Sequence, residues 1–271
     1  MFHRSLISIT SDFGYDDPFV GVMKGVIYTI NPHVNVVDLT HNIHPQNIQE
    51  AAFTIGMNYS YFPKNSIHVV VVDPGVGSGR RPLLVGADEH YFIGPDNGVF
   101  SYLYKHASSD LQVVHVTSEH LFLKKDSPTF QGRDVFAPCA AWLSTGMEHN
   151  KFGKTITDYH NLQLPVAVRQ SSLLIQGEVL FTDRFGNAIT NITETDIDDL
   201  RRLQASDIRI SLKGNDIQFF KYYSQAEGRA VSALVNSSGY LEVFIYKGSA
   251  ASECNILPGD EVKVFLSEKS S

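Results

Sequence analysis

Residues 68–81 read HVVVVDPGVGSGRR, which puts a carboxylate, Asp73, at the end of a valine run and a guanidinium, Arg80, seven residues later. Gly75, Gly77 and Gly79 between them leave the backbone free to fold Arg80 back toward Asp73. Such a pair suits a polar ligand, because ligands of open α/β sheets bind outside the carboxyl ends of the strands. The same residues also read as a plain Asp-Pro-Gly turn whose glycines only supply positive φ. Two nucleotide signatures are excluded. The stretch lacks the Gly-Lys-Ser/Thr ending of a phosphate loop, and GVGSGRR does not fit G-x-G-x-x-G. A second cluster has metal-binding residue types: His41 and His44 of THNIH, with Asp12, Asp38 and Asp73, could support metal-dependent phosphoester hydrolysis. The chain has 11 histidines, so one close pair is weak support for it.

These side chains need a scaffold that gathers strand ends. LISIT, residues 6–10, is a short apolar strand. Asp17-Pro18 then signals a helix, with Asp17 as cap and Pro18 at the first helical position, running to Asn31-Pro32. Residues 34–37 form the next strand and residues 46–61 the next helix, before the valine strand. This β-α-β-α-β order implies a parallel sheet with right-handed crossovers. Four consecutive valines fit a strand buried on both faces. Asp12, Asp38 and Asp73 are each expected just past a strand end, on one edge of the sheet, where they outline an acidic cleft. Residues 82–87 and 91–93 read as further strands, Pro95 to Gly98 as a turn opening a helix, and residues 129–143 as a loop entering a helix.

After about Ser171 the pattern becomes all β. GEVLFTD, NAITNI, DIRISL, DIQFFK, VSALVN, YLEVFIY and EVKVFL are short strand-like runs, and NSSG at 236–239 is a hairpin signal. The expected organisation is an α/β N-terminal domain with a parallel sheet of βαβ units over 1–160, a linker over 161–172, and an all-β, barrel-like C-terminal domain over 173–271.

Lys plus Arg is 22 and Asp plus Glu is 29, a net charge of -7 that argues against a general nucleic-acid binder. Cys139 and Cys254 have no metal or redox spacing and read as core thiols of a reducing compartment. The N-terminal residues lack the apolar core of a signal peptide, and no apolar run approaches the ~20 residues of a membrane span. A soluble cytoplasmic protein, with no nucleic-acid or membrane partner, is the expectation.

Six segments, TSDFGYDDPFVGVMKG, DLTHNI, VVVVDPGVGSGRR, FQGRDVFAP, DRFGNAITNI and NSSGYLEV, resemble in their order the motifs of the S-adenosyl-L-methionine (SAM) hydroxide adenosyltransferases, or SAM hydrolases. The same superfamily holds the fluorinase and chlorinase. The likeness runs from about residue 7 to 251. It implies an α/β domain followed by a small β-barrel. It also implies a reaction, SAM plus water giving adenosine and L-methionine by in-line attack on the ribose C5′. SAM is the substrate and no cofactor or metal is implied. The family holds its water with an Asp-Arg-His trio. Asp73 and Arg80 match the first two, but TFQGRD carries Gln131 where the His is expected. A neutral amide exchanges hydrogen bonds but does not take a proton near pH 7. Hydrolysis with an oriented water and non-catalytic binding of SAM or adenosine therefore both stay open. Halogenation is disfavoured, since Asp73 stands where the fluorinase has an aromatic residue and Gly132 where it has a serine.

The resemblance also implies the substrate contacts. Asp12 matches the aspartate that grips the ribose hydroxyls, Asp183 the group that binds the methionine amine, and Asn187 the reader of the adenine edge. Ser237 matches a contact to the methionine carboxylate. Phe130, Phe185 and Tyr223 correspond to residues that enclose adenosine. Lys247, after Tyr246, stands where the family contacts adenine partly through backbone. The implied assembly is a homotrimer with active sites between subunits.

Overall fold

The structure, a computed structural model, describes residues 6–107, 111–124, 128–203, 208–226, 228 and 231–266. The chain divides into two compact units between Leu164 and Pro165. The first contains, in order, β1 (Leu6–Ser11), α1 (Phe19–Ile30), β2 (Asn35–Thr40), α2 (Ile48–Asn58), β3 (Ile67–Val71), β4 (Pro82–Ala87), β5 (His90–Pro95), α3 (Ser101–His106), β6 (Gln112–Val116), α4 (Ala137–Ser144) and β7 (Gly153–Thr155). The strands form one sheet in the order β2-β1-β3-β5-β4-β6-β7. β2, β1, β3 and β5 run parallel. The β4–β5 hairpin then turns the remainder into a mixed sheet.

The valine run is explained by its two neighbours. Ile67, Val69 and Val71 pack into the core beneath α1 and α4, while Val70 and Val72 pack into the core on the other face. A central strand covered on both faces needs apolar residues at every position. Three local expectations shift. α1 starts at Phe19, with Pro18 in the cap position and no side-chain cap; the Pro18 carbonyl accepts the first helical bond, from Val22 N at 2.9 Å. Asp17, preceding a proline, is biased away from helical backbone. α2 starts at Ile48 because Gln46 takes a left-handed φ of 67° and Asn47 caps the Glu50 N–H. Asp38 lies inside β2, which continues to Thr40, and not beyond its end.

The second unit contains β8 (Val168–Ser171), β9 (Leu174–Thr182), β10 (Ala188–Thr193), α5 (Glu194–Leu203), β11 (Ile208–Leu212), β12 (Asn215–Phe219), β13 (Ser232–Val235), β14 (Tyr240–Phe244), α6 (Ala250–Glu253) and β15 (Glu261–Leu266). The order β10-β14-β13-β12-β11-β15-β9 closes on itself through the β9–β10 pairing, making a barrel. β8, within the stretch expected to be linker, pairs with β9 outside the ring. Alternation fills the barrel: Leu241, Val243, Val262, Val264 and Leu266 point inward. Among the described residues no helix is long and apolar enough to cross a membrane.

One buried polar group ties fold stability to pH. His68 in β3 is fully buried, its Nδ1 2.6 Å from Ser8 Oγ and its ring stacked on Phe92 at 5.0 Å. Burial, reinforced by nearby His90, pulls its pKa down from 6.5 to about 3. The unfolded chain therefore binds the extra proton first, so this stability is complete above the unfolded pKa and is lost as pH falls from about 6.5 toward 3. Urea unfolding at pH 7.5 and pH 5.0 is expected to show a loss on the order of 2 kcal/mol from this group. The double variant Ser8→Ala/His68→Phe is expected to lack that part of the slope, and an unchanged slope would contradict the assignment.

Candidate active site

The chain leaves β1 toward β2 on one side, then crosses to β3 on the other. The strand order therefore reverses at β1 and β3, and the carboxyl ends of strands at such a reversal are where open α/β sheets bind ligands. The parallel register pairs Ser11 with Val71, so Asp12 and Asp73 both follow at this edge, one residue out of step with each other. Asp12 Oδ2 accepts a hydrogen bond from Gln46 N at 2.8 Å, which fixes the loop after β1.

The glycine loop does fold Arg80 back. Arg80 Nε donates to Asp73 Oδ1 at 2.8 Å and Arg80 Nη2 donates to Asp73 Oδ2, a two-bond fork between nearly buried side chains. The guanidinium carbon also lies 5.4 Å from the centre of the Phe136 ring. Neighbouring Arg81 turns elsewhere, to Asp96 and Asp158.

Gln131 opens a π-helical turn, Gly132–Phe136, where a loop was expected. Pro138 follows in the first turn of α4 and has no N–H to offer the Asp134 carbonyl. That carbonyl instead accepts from Leu123 N at 2.9 Å. The turn sits tightly on β3: a Cβ at Gly132 would lie 3.4 Å from Val71 Cγ1 and 3.1 Å from Phe130. Phe130 itself packs edge-on against Phe13 and Phe19. Two buried polar atoms here, Arg80 Nη1 and Gln131 Oε1, have no partner among the described residues. One is a donor and one an acceptor. Buried groups of this kind call for a small polar molecule that can satisfy them.

The histidine pair is divided between two other tasks. His41 Nδ1 lies 2.7 Å from Ser11 Oγ and its Nε2 lies 3.0 Å from Asp38 Oδ1. His44 Nδ1 lies 2.8 Å from Glu50 Oε2. Burial would raise the Asp38 carboxyl, but Lys24 and His41 together hold it below its ordinary value. No group of three or more His, Cys, Asp or Glu able to hold a metal ion occurs among the described residues.

In the second unit, Asp183, Phe185, Asn187, Tyr223 and Lys247 line one open cavity of about 590 Å³. Asp183 Oδ1 accepts from Phe185 N and Asn187 N, at 2.9 and 2.8 Å, which shapes the loop. Gly186 is required by close approach, since a Cβ there would lie 2.0 Å from Ser249 Oγ. Phe185 is 77% exposed, an apolar ring with no cover in its own unit. Ser237 is not part of the cavity lining and sits exposed at the tip of the 236–239 turn. Two contributors escape a reading of the sequence. Gln46 acts through its backbone, and Glu242, buried beside Tyr223, sits in a strand whose alternation marks it only as outward-facing.

Both units match a single family. Residues 7–153 match the SAM hydroxide adenosyltransferase N-terminal domain and residues 177–263 match its C-terminal domain. The chain belongs to the SAM hydroxide adenosyltransferase family. Among curated relatives, the (R)-S-adenosyl-L-methionine hydrolase of Thermus thermophilus is 30% identical over 268 residues, covering 94% of this chain and 97% of the relative. That of Methanocaldococcus jannaschii is 30% identical over 269 residues, covering 96% and 95%. A fluorinase of Nocardia brasiliensis is 26% identical over 293 residues, covering 96% and 97%. The crystal structure of an uncharacterized conserved protein from Thermotoga maritima superposes with a TM-score of 0.87 at 30% identity, covering 96% of this chain and 99% of that one.

Removing one member of a buried ion pair leaves the other uncompensated, a cost of about 3–5 kcal/mol. Arg80→Met is expected to lose stability of that order in denaturant unfolding. Adding Asp73→Asn should restore at least half of it. A double variant no more stable than Arg80→Met alone would show that the pair is not what holds the loop.

Proposed function

We propose that this chain hydrolyses SAM to adenosine and L-methionine, with Asp73, Arg80 and Gln131 holding the attacking water. The observation that carries the reading is the pair of unpartnered buried atoms, Arg80 Nη1 and Gln131 Oε1, at the strand end that bears Asp73. A water placed there accepts from Arg80 and donates to Gln131, with Asp73 beside it to receive a proton. Its oxygen attacks C5′ as the C5′–S bond breaks and the electron pair goes to sulfur. The sulfonium leaves as the neutral thioether of methionine, so no general acid is required. One proton is released per turnover. Holding the water in line is worth about 7–11 kcal/mol of the barrier.

Asp12 takes the ribose hydroxyls, which suits a carboxylate that can accept from both. The cavity of the second unit takes the rest of the substrate. Asn187 and the backbone at Lys247 read adenine and Asp183 takes the methionine amine, while Ser237, outside the lining on the 236–239 turn, takes the methionine carboxylate. Phe130, Phe185 and Tyr223 enclose the adenosine, with stacking on adenine and cation–π attraction to the sulfonium. We further propose a homotrimer in which each active site joins the α/β unit of one subunit to the barrel of the next. The exposed Phe185 ring is in keeping with this. The enzyme is assigned to the cytoplasm, in keeping with its free cysteines Cys139 and Cys254. No cofactor enters this chemistry, and the charge on Asp73 repels a halide, which favours water over halogenation.

Gln131 favours a second reading, binding of SAM or adenosine without turnover, because the amide does not shuttle a proton. Chromatography after incubation with SAM separates the two. Hydrolysis gives adenosine and methionine in equal amounts, at a rate that Asp73→Ala lowers by at least about 10³-fold. Bound SAM that stays intact would establish the second reading. Gln131→His is expected to raise turnover by roughly tenfold or more, with adenosine affinity unchanged. It should also add a pH dependence near the ordinary histidine pKa of about 6.5 that the native chain lacks. No gain would remove a histidine at this position from the mechanism.

A further inference from the structure

Glu242 lies in β14 between Leu241 and Val243, which point into the barrel, so its own side chain points outward. It is nonetheless only 3% exposed. The segment 220–226 lies over it, with Phe220 and Ala226 packed on Leu234 and Phe244. Burial raises the Glu242 carboxyl, as does nearby Asp183, against the opposing effect of its two hydrogen bonds. A carboxylate in this position is costly unless both oxygens are satisfied. They are. Oε1 accepts from the Tyr223 hydroxyl at 2.7 Å and Oε2 accepts from Asn236 Nδ2 at 3.1 Å. Tyr223 lines the cavity and meets Phe244 edge-on at 4.9 Å. Asn236 Oδ1 accepts from Ser238 N and Tyr240 N, at 3.0 and 3.1 Å, and so shapes the turn that carries Ser237.

We propose that Glu242 is a positioning residue for substrate: its single carboxylate locks the Tyr223 wall of the cavity and the Ser237 turn to one another. This rests on the reading that the cavity receives adenosine. One carboxylate then sets the spacing between the group that encloses the nucleoside and the turn that meets the methionine end. Asp183 and Asn187 do not supply this link, since their hydrogen bonds stay within their own loop.

The test is calorimetric titration of adenosine into the full chain, with kcat and KM for SAM measured alongside. Glu242→Ala is expected to weaken adenosine binding and raise KM by about tenfold, the scale of one hydrogen bond to a charged group, with kcat within about twofold. Tyr223→Phe should weaken adenosine similarly, and Tyr223→Phe/Glu242→Ala should be no weaker than Glu242→Ala, because both remove the same contact. Glu242→Gln should keep adenosine affinity within about threefold, since its amide oxygen still accepts from Tyr223. Its KM should still rise, because its NH₂ faces the Asn236 amide. Additive losses, or wild-type affinity in a folded Glu242→Ala protein, would overturn the proposal. If Glu242→Ala does not fold, a Glu242→Gln protein whose KM for SAM equals that of the wild type would overturn it equally. Failure of the wild-type chain to bind adenosine would instead overturn the reading of the cavity.

Discussion

The two-bond fork between Arg80 and Asp73 is the constraint on which the candidate site depends. Two charges nearly removed from water are tolerable only when their geometry is good and their remaining groups find partners. Here the fork satisfies both carboxylate oxygens, and the Phe136 ring lies against the guanidinium. The pair also decides the path of the glycine loop, because residues 74–79 must close on themselves for Arg80 to reach back. Arg81 then points the other way, where its bonds to Asp96 and Asp158 pin the end of the first unit. Adjacent arginines thus do separate work, one at the strand end and one in the frame around it.

What surrounds the pair follows from packing. β3 is covered on both faces, so its end is held from both sides. The π-helical turn packs on that end, with Gly132 close to Phe130, Met23 and Val71. This close approach brings Gln131 to β3 with a buried, unpartnered carbonyl. The irregular turn, with Pro138 just after it, carries Gln131 at its start.

Much of this was legible in the residues, and the gaps have physical causes. The alternation of strands and helices, the doubly buried valine strand and the change to short β runs all follow from hydrophobic period, which is a local property. Asp12 and Asp73 each follow a strand of the parallel set, so both fall on one edge of the sheet. The antiparallel hairpin that makes the sheet mixed did not announce itself, since pairing direction is not encoded in period. Asp38 lies inside β2 and not past it, because a strand that continues through a polar residue looks in sequence like one that has ended. The motif gives Ser237 as a contact to the methionine carboxylate; it sits on the exposed tip of its turn, connected to the cavity wall through Asn236, Glu242 and Tyr223. Glu242 itself was invisible as a functional residue. Its burial depends on segment 220–226 folding over the outside of the barrel, which strand alternation cannot reveal.

The most direct test of the account is a crystal structure of the full chain with adenosine bound. It predicts an ordered water within hydrogen-bonding distance of both Arg80 Nη1 and Gln131 Oε1, beside Asp73 and in line with the ribose C5′. Adenosine bound with C5′ away from the Asp73–Arg80 pair, or a protein side chain occupying the position assigned to the water, would contradict it.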